Sequence, residues 1–187
     1  MGRLIVFCMV TADGYFDATD GNTSWHNADA EFNDFSLEQL QTVDTLLFGR
    51  KTFETMEAFW TSETAKNQYP ELADVMNNTV KILASKVLKS VKWNKTEIFS
   101  EIWLLEGLKI NKLSTKDTMI LGSAELSATL AKHNFVDEYR LMVNPVVIGK
   151  GRPFFKNIKQ QLNLSLVKVR LFNSGNVLLC YKPIPQP

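Results

Sequence analysis

Continuously apolar stretches alternate with amphipathic stretches along most of the chain, and this alternation predicts strands separated by helices. Arg3–Val10 is a continuous apolar run containing Ile5 and Val6, the pattern of a strand covered on both faces. We therefore expect this strand near the centre of a sheet. Further strands are predicted over Thr45–Phe48, Val80–Ala84, Glu97–Ser100, Thr118–Leu121 and Val136–Val143.

Near-helical spacing of large apolar residues predicts the helices between these strands. In the first helix, Asn27 or Asp29 is the cap and the helix continues to about Thr42, with Phe32, Phe35, Leu40 and Val43 as its apolar positions. The other predicted helices are Thr52–Trp60, a short one from Pro70 that contains Leu72, Val75 and Met76, then Glu101–Lys109 and Ala124–Lys132.

The end of the chain has a different pattern. Leu164–Phe172 and Val177–Tyr181 flank the turn residues 173–176, which predicts an antiparallel hairpin. Strands and helices alternate up to about residue 145 before it. We expect an α/β fold with a mixed, mostly parallel sheet, formed by residues 1–187 as a single domain.

Composition narrows the functional classes. The chain has 187 residues, 45% of them hydrophobic and 22% charged, as in ordinary globular proteins. The formal net charge of +1 gives no general basic field for nucleic acid. No apolar run approaches the ~20 residues of a membrane span, and Met1–Val10 reads as a first strand rather than a signal peptide. A cytoplasmic protein is expected.

Cysteine and histidine usage argues against metal chemistry. Cys8 and Cys180 each lie in an apolar run, typical of reduced core thiols, with a disulfide between terminal strands as the alternative. His26 and His133 are far apart and have no partner residues in a metal-binding or triad pattern. We expect no metal site.

Three strand ends carry the candidate chemistry. Leu46–Glu54 combines an apolar triplet, Gly49, two cations and a threonine at a helix start, an arrangement that can bind phosphate. A capped strand-to-helix turn is the alternative. Ser85-Lys86 and Gly122-Ser123 end two further strands, and ligands of α/β sheets gather at such ends.

Other positions have open interpretations. Asp17–Asn22 is predicted to be an exposed loop, and Asp137-Glu138 to begin an edge strand. Lys150 and Arg152 either bind a substrate phosphate or belong to a solvated turn. Phe154-Phe155 is either core or a dimer face.

The order of these motifs resembles the dihydrofolate reductase-like fold, a three-layer α/β/α arrangement, and in particular the family of the C-terminal reductase domain of the riboflavin-biosynthesis deaminase/reductase. The segments that carry the resemblance cover nearly the whole chain. They are 11–14 (TADG), 24–25 (SW), 47–52 (LFGRKT), 83–86 (LASK), 121–126 (LGSAEL), 136–141 (VDEYRL) and 145–151 (PVVIGKG).

This resemblance implies an NADPH-dependent reductase that acts on a pteridine- or pyrimidine-like substrate, commonly as a homodimer. It implies that Gly49–Thr52 hold the cofactor phosphates and that Arg50 or Lys51, with Ser85 and Lys86, contact the 2′-phosphate. Gly122, Ser123 and Ala124, with Glu125 beside them, would let the pyrophosphate approach a second helix. Ala12 and Trp25 would lie near the nicotinamide.

The proton needed at a reduced C=N or C=O group points to a carboxylic acid. Asp29 and Glu31, at the start of the helix after Trp25, are the candidates. In folate reductases an acid on this helix binds the pterin, and Asp29 comes one residue earlier than that pattern. The alternative for Asp29 is an acid placed at a helix start by the helix dipole. A protein that keeps the fold without turnover is the alternative function.

Overall fold

The computed structural model describes residues 2–99 and 116–184. Within these ranges strands and helices alternate and a hairpin follows, as predicted. The strands are β1 (Leu4–Thr11), β2 (Tyr15–Asp17), β3 (Val43–Gly49), β4 (Val80–Ala84), β5 (Thr96–Phe99), β6 (Asp117–Leu121), β7 (Glu138–Asn144), β8 (Arg152–Pro153), β9 (Leu164–Leu171) and β10 (Val177–Pro183). The helices are α1 (Ala30–Leu40), α2 (Arg50–Trp60), α3 (Glu63–Gln68), α4 (Pro70–Asn78) and α5 (Ala124–Lys132).

Eight strands form one sheet in the order β5-β4-β3-β6-β1-β7-β10-β9. The pairs from β5 to β7 are parallel, whereas β10 runs antiparallel to both β7 and β9. The expected α/β fold with a mostly parallel sheet and a C-terminal antiparallel hairpin is therefore confirmed. A second, two-stranded sheet joins β2 to β8.

The central position of β1 follows from its sequence. All eight of its residues are buried, and it pairs with β6 on one side and β7 on the other. Successive side chains of a strand face opposite sides of the sheet. Ile5, Phe7 and Met9 enter a core shared with residues of α1, α2 and α4, while Val6 and Cys8 enter a core shared with α5. Helices thus cover both faces.

Two predicted element boundaries were wrong. α1 ends at Leu40, and Val43 begins β3 instead of extending the helix. The Thr42 hydroxyl donates to the Gln39 carbonyl at 2.7 Å, so the chain leaves the helix before the β-branched Val43. α2 begins at Arg50 and has Gly49 as its N-cap, so Arg50 and Lys51 lie in the first helical turn. α3 was not predicted, and the predicted helix Glu101–Lys109 lies outside the described residues.

The expectation of an edge strand at Asp137-Glu138 was also wrong. β7 lies between β1 and β10, because the C-terminal hairpin returns to cover its other side. The Glu138 carboxylate is buried there and accepts hydrogen bonds from Arg3 Nη1 at 2.8 Å and Arg140 Nε at 2.6 Å. Two guanidinium groups therefore compensate the burial of this acid.

The segment after β7, residues 145–153, folds back over the loop that follows β1, and we call it the arm. The Ala12 N–H donates to the Val146 carbonyl at 2.8 Å, and the Gly149 N–H donates to the Asp13 carboxylate at 2.9 Å. At Gly151 a Cβ atom would lie 2.2 Å from the Asp17 carbonyl oxygen. Only glycine permits this approach, which brings β8 against β2.

The two thiols are free and buried. Burial raises the pKa of both, that of Cys8 strongly, so both are neutral core groups. The reduced-thiol interpretation fits this arrangement. No helix in the described ranges is long and apolar enough to cross a membrane.

Candidate functional site

The three predicted strand ends meet at one edge of the sheet. β4, β3 and β6 are adjacent and parallel, with Gly49 opposite Ala84 and Leu47 opposite Ile120. Parallel neighbours end at the same side, so Gly49, Ser85 and Gly122 converge. The sequence motifs that ended these strands therefore belong to a single region of the molecule.

The backbone of β3 contacts the start of α5 directly. The Gly49 N–H donates a hydrogen bond to the Ser123 hydroxyl oxygen at 3.0 Å. A Cβ atom at Gly49 would lie 3.3 Å from that oxygen, closer than such contacts normally are. Ser123 itself has φ 55° and ψ 62°, in the left-handed region. Such a backbone conformation in a residue other than glycine is costly and is found preferentially at functional sites.

Gly122 is the second position where a side chain does not fit. Its φ is +62°, and an added Cβ would lie 3.2 Å from the Phe16 ring and 3.6 Å from Thr52 Cγ2. The absence of a side chain keeps the space between β2, α2 and α5 open. This fits the close backbone approach expected from the sequence.

The helices that begin here lack side-chain caps. α1 and α3 begin with caps from Asp29 and Ser62, which accept from Phe32 N and Ala65 N. Within residues 2–99 and 116–184, no side chain caps the first turn of α2 or of α5. Their backbone N–H groups therefore remain available at the positive ends of two helix dipoles, a favourable environment for an anion. The capped-turn alternative at Thr52 does not describe this junction.

A cleft of about 470 Å³ lies at these strand ends. Nine of the twelve predicted cofactor residues line it, namely Gly49, Arg50, Lys51, Thr52, Ser85, Lys86, Ser123, Ala124 and Glu125, whereas the predicted Gly122 does not. Residues that the sequence did not assign to it also line it, and these are Phe16, Ala84, Val87, Leu126, Thr129, Arg152, Pro153, Lys156 and Asn157.

Cations dominate the charged groups of the cleft. Arg50, Lys51 and Lys86 come from the ends of β3 and β4, whereas Arg152 and Lys156 come from the arm and the segment after it. Glu125 is the carboxylate among the lining residues. Arg50 forms an exposed pair with Glu54 at 3.1 Å, a contact worth only a few tenths of a kcal/mol. Among the described residues no carboxylate pairs with Lys51.

Arg152 pairs with Asp17 through two hydrogen bonds. Arg152 Nε donates to Asp17 Oδ1 at 2.7 Å, and Nη2 donates to Oδ2. Asp17 is 3% exposed, so the prediction of an exposed loop was wrong at this residue. The hydrogen bond to Asp17, aided by the charges of Asp17 and Glu125, raises the pKa of Arg152 despite its partial burial.

Ala12 and Trp25, predicted near a nicotinamide, do not line this cleft. Ala12 is bound to the arm, and Trp25 packs on the core with its ring 4.5 Å from that of His26 in an edge-on contact. Trp25 Nε1 and His26 Nε2 are buried and have no hydrogen-bond partner in the part of the chain that the structure describes. Burial lowers the pKa of His26 to about 4, so the imidazole is neutral at pH 7.

The two predicted proton donors have structural partners. Asp29 Oδ1 accepts from Phe32 N at 2.8 Å as the cap of α1. Glu31 Oε2 accepts from Asn173 N at 2.8 Å in the hairpin turn, and its other oxygen lies 3.7 Å from Arg170. Neither lines the cleft. Their catalytic role stays a prediction.

Phe16 and Lys156 line the cleft but are not predicted from the sequence. The sequence predicts Arg152 either as a contact for a substrate phosphate or as part of a solvated turn, and the structure places it in the same cleft as the Gly49 and Ser123 junctions. The available signal was the cluster of cations around the glycines of the arm. Within the described ranges no cluster of His, Cys, Asp or Glu could hold a metal ion.

Comparisons with known proteins agree with this fold. The model of the RibD C-terminal domain matches residues 3–178. The uncharacterized protein YyaP of Bacillus subtilis (strain 168) is 34% identical over 185 residues, which cover 96% of this chain and 94% of that protein.

Solved structures give the same result. A putative riboflavin biosynthesis protein from Shewanella sp. PV-4 superposes with a TM-score of 0.72 at 17% identity, covering 98% of this chain and 99% of that chain. Dihydrofolate reductase from Enterococcus faecalis, complexed with NADP(H), superposes with a TM-score of 0.65 at 17% identity, covering 97% and 96%. The resemblance read from the motifs is thus confirmed, and the chain belongs to the RibD C-terminal domain family.

Proposed function

We propose that this protein is an NADPH-dependent oxidoreductase that transfers a hydride to a pteridine- or pyrimidine-type small molecule. The reaction would be of the riboflavin-pathway reductase type, acting on 5-amino-6-(5-phosphoribosylamino)uracil, or of the dihydrofolate reductase type. The observation that carries this proposal is the cleft in which two uncapped helix starts and five cations converge. A dinucleotide with three phosphate groups fits that chemistry.

The residues of the cleft fit the cofactor in both shape and charge. Gly49 lines the cleft, whereas Gly122 lies against Phe16 and Thr52, which line it, and a side chain at either glycine would crowd its neighbours. Arg50 or Lys51, with Ser85 and Lys86, would contact the 2′-phosphate. A charge-assisted hydrogen bond there is worth roughly 1.5–3 kcal/mol, which favours NADPH over NADH about ten-fold or more. The Glu125 carboxylate would repel phosphate, so we assign it to a ribose hydroxyl.

When bound, the nicotinamide supplies the hydride, and the protein positions the reactants and excludes water. We place the nicotinamide end toward Ala12 and Trp25. Asp29 and Glu31 remain the proposed proton donors or substrate-orienting groups. To act in this way, each carboxylate would have to contact a ligand in addition to accepting its present hydrogen bond from a backbone N–H group.

The experiment is a titration with NADPH and then NADH, followed by fluorescence and melting temperature. A ligand at 100 times its dissociation constant should add about 2.7 kcal/mol to the free energy of unfolding. Oxidation of NADPH is then measured with dihydrofolate and with the riboflavin-pathway intermediate as separate substrates. A protein that is not stabilised by NADPH would contradict the cofactor assignment.

A second candidate function is nucleotide binding without turnover. The observation that favours it is the engagement of both Asp29 and Glu31 in structural hydrogen bonds. Binding of NADPH without oxidation by either substrate class would support this candidate.

We also propose a cytoplasmic homodimer. Its supporting feature is β9, the last strand of the sheet, on which Val167, Val169 and Leu171 are 54%, 48% and 73% exposed. Apolar side chains on an unpaired edge strand are a common site of association.

A further inference from the structure

Arg152 differs from the other cations of the cleft in how it is held. Arg50 and Lys51 lie on the first turn of α2, and Arg50 pairs with Glu54 of the same helix, whose side chain is 46% exposed. Arg152 comes from β8, which the glycine at position 151 brings against β2. The chain thus positions one guanidinium at the cleft by a separate structural element.

The partner of Arg152 is a buried carboxylate. The Asp17 side chain is 4% exposed, while that of Arg152 is 45% exposed. Asp17 accepts from Nε at 2.7 Å and from Nη2, so the planar group is bound at one edge. The Phe16 ring lies 5.8 Å from the guanidinium carbon and limits its movement further.

A guanidinium has five N–H donors in a fixed plane, and Asp17 accepts from two of them. Arg152 Nη1 has no hydrogen-bond partner among the described residues. The Arg152 side chain can therefore donate to an anion in the cleft while it stays bound to Asp17. A guanidinium group that is already immobilised loses less conformational entropy on binding an anion than a mobile lysine side chain does.

The position of Arg152 indicates which anion. The Phe16 ring lies beside the guanidinium and also close to Gly122, where an added Cβ would lie 3.2 Å from it. Gly122 immediately precedes the uncapped start of α5. Arg50, Lys51 and Lys86 instead follow β3 and β4. Arg152 is thus associated with the Gly122 junction, which suits a diphosphate, whereas Arg50, Lys51 and Lys86 are associated with the junctions assigned to the 2′-phosphate.

We propose that Arg152, held by Asp17, binds the diphosphate bridge of the dinucleotide and so determines affinity without selecting between NADPH and NADH. This inference rests on the proposed function, because it assigns a role within the same cofactor cleft. It replaces the earlier interpretation of Arg152 as a substrate-phosphate contact or a solvated turn.

The test is the dissociation constant of NADPH and of NADH, by titration calorimetry, for the wild type, Arg152→Gln and Lys150→Gln. Lys150 is an exposed cation two residues away on the arm, outside the cleft, so its variant controls for the change in net charge. We expect Arg152→Gln to weaken both cofactors about ten-fold or more, and by the same factor. Lys150→Gln should leave both constants unchanged.

The outcomes separate this inference from the proposed function. If the wild type binds neither cofactor, the proposed function fails and this inference with it. If the wild type binds and Arg152→Gln binds both cofactors equally well, only this inference is overturned. A loss confined to NADPH would instead make Arg152 a 2′-phosphate contact and overturn the diphosphate assignment. Should Arg152→Gln be unfolded at the assay temperature, Arg152→Lys replaces it: a smaller, equal loss for both cofactors is expected, and unchanged binding overturns the inference.

Discussion

The Ser123 hydroxyl accepts a hydrogen bond from the Gly49 N–H at 3.0 Å, across 74 residues of sequence. This contact joins the end of β3 to the start of α5. The sequence predicts a candidate phosphate site at each of these two places separately. Ser123 occupies the left-handed region to make it, with φ 55°. The same side chain and backbone of Ser123 therefore affect both the shape of the cleft and the stability of the fold.

Replacing Ser123 separates these two contributions. Ser123→Ala removes the hydroxyl and retains the strained backbone, so we expect a loss of about 1–2 kcal/mol in the free energy of unfolding. Ser123→Gly also removes the hydroxyl but tolerates the positive φ, and should be about 1 kcal/mol more stable than Ser123→Ala. Urea denaturation measures both. Equal stabilities of the two variants would mean that the backbone at Ser123 is not strained.

Gly122→Ala should destabilise the protein and block the cleft. The new methyl group would lie 3.2 Å from the Phe16 ring, and the alanine backbone would have to keep φ +62°. The matched control is Gly149→Ala, which has φ +68° and no atom within 4 Å of the new Cβ. Both variants should lose about 1–2 kcal/mol from backbone strain, measured by urea denaturation. Only Gly122→Ala should also weaken NADPH binding in calorimetry, and equal NADPH affinities in the two variants would contradict a role for Gly122 in the cleft.

The strand ends were predictable because each depends on local sequence. An apolar run that stops at Gly49 or Gly122 and precedes a helix can be recognised within ten residues, and parallel order then brings such ends together. The pairing of Asp17 with Arg152 could not be predicted in this way. It joins residues 135 positions apart and depends on the path of the arm, which no local pattern specifies.

Lys81 illustrates the same limit within a strand. It lies in the sequence Val80-Lys81-Ile82, where a lysine on a strand is expected to reach solvent. Instead it is 0% exposed, and its ammonium donates to the carbonyls of Met76, Asn77 and Thr79 at 2.7–3.2 Å. The carbonyl groups at the end of α4 satisfy the charge, and only the packing of α4 against β4 creates that site.

His26 should make stability depend on pH below neutrality. Its pKa is about 4 in the folded protein and about 6.5 when unfolded, so the unfolded state binds more protons between these values. Stability is therefore fully present above pH 6.5 and falls as the pH is lowered toward 4, by up to about 3 kcal/mol.

The measurement is the difference in free energy of unfolding between the wild type and His26→Gln across pH 4 to 7. Other groups that titrate in this range are present in both proteins, so their contributions to the difference in free energy of unfolding cancel. His133→Gln, at an exposed histidine, is the control and should follow the wild type. A constant difference between wild type and His26→Gln over this range would show that the folded His26 titrates normally.

Cofactor selectivity should reside in the cations after β3. Arg50→Ala and Lys51→Ala should test the 2′-phosphate contact, and at least one should weaken NADPH about ten-fold or more while NADH changes less than about two-fold. Lys66→Ala is the control, since Lys66 forms an exposed pair with Glu63 outside the cleft. Titration calorimetry gives all the constants. Unchanged selectivity in both variants would remove Arg50 and Lys51 from the phosphate role.

The proposed homodimer predicts a specific response to charge on β9. Val169 is 48% exposed on that strand and lies on the same face as Leu171, since both residues pair with β10 on the same side of the bulge in this ladder. If β9 of two copies associate, Val169→Lys places an unpaired ammonium in an apolar contact. A penalty of about 3 kcal/mol would raise the dimer dissociation constant about 100-fold.

Sedimentation velocity over a concentration series measures the effect, and Ser165→Lys, an exposed position on the same strand, provides the control. We expect Val169→Lys to be monomeric at concentrations where the wild type and Ser165→Lys are dimeric. Its melting temperature in the monomeric state should stay near that of a wild-type monomer, because Val169 is exposed and belongs to neither core cluster of the described residues. A wild type that is monomeric throughout the series, or a Val169→Lys variant that remains dimeric, would exclude β9 as the interface.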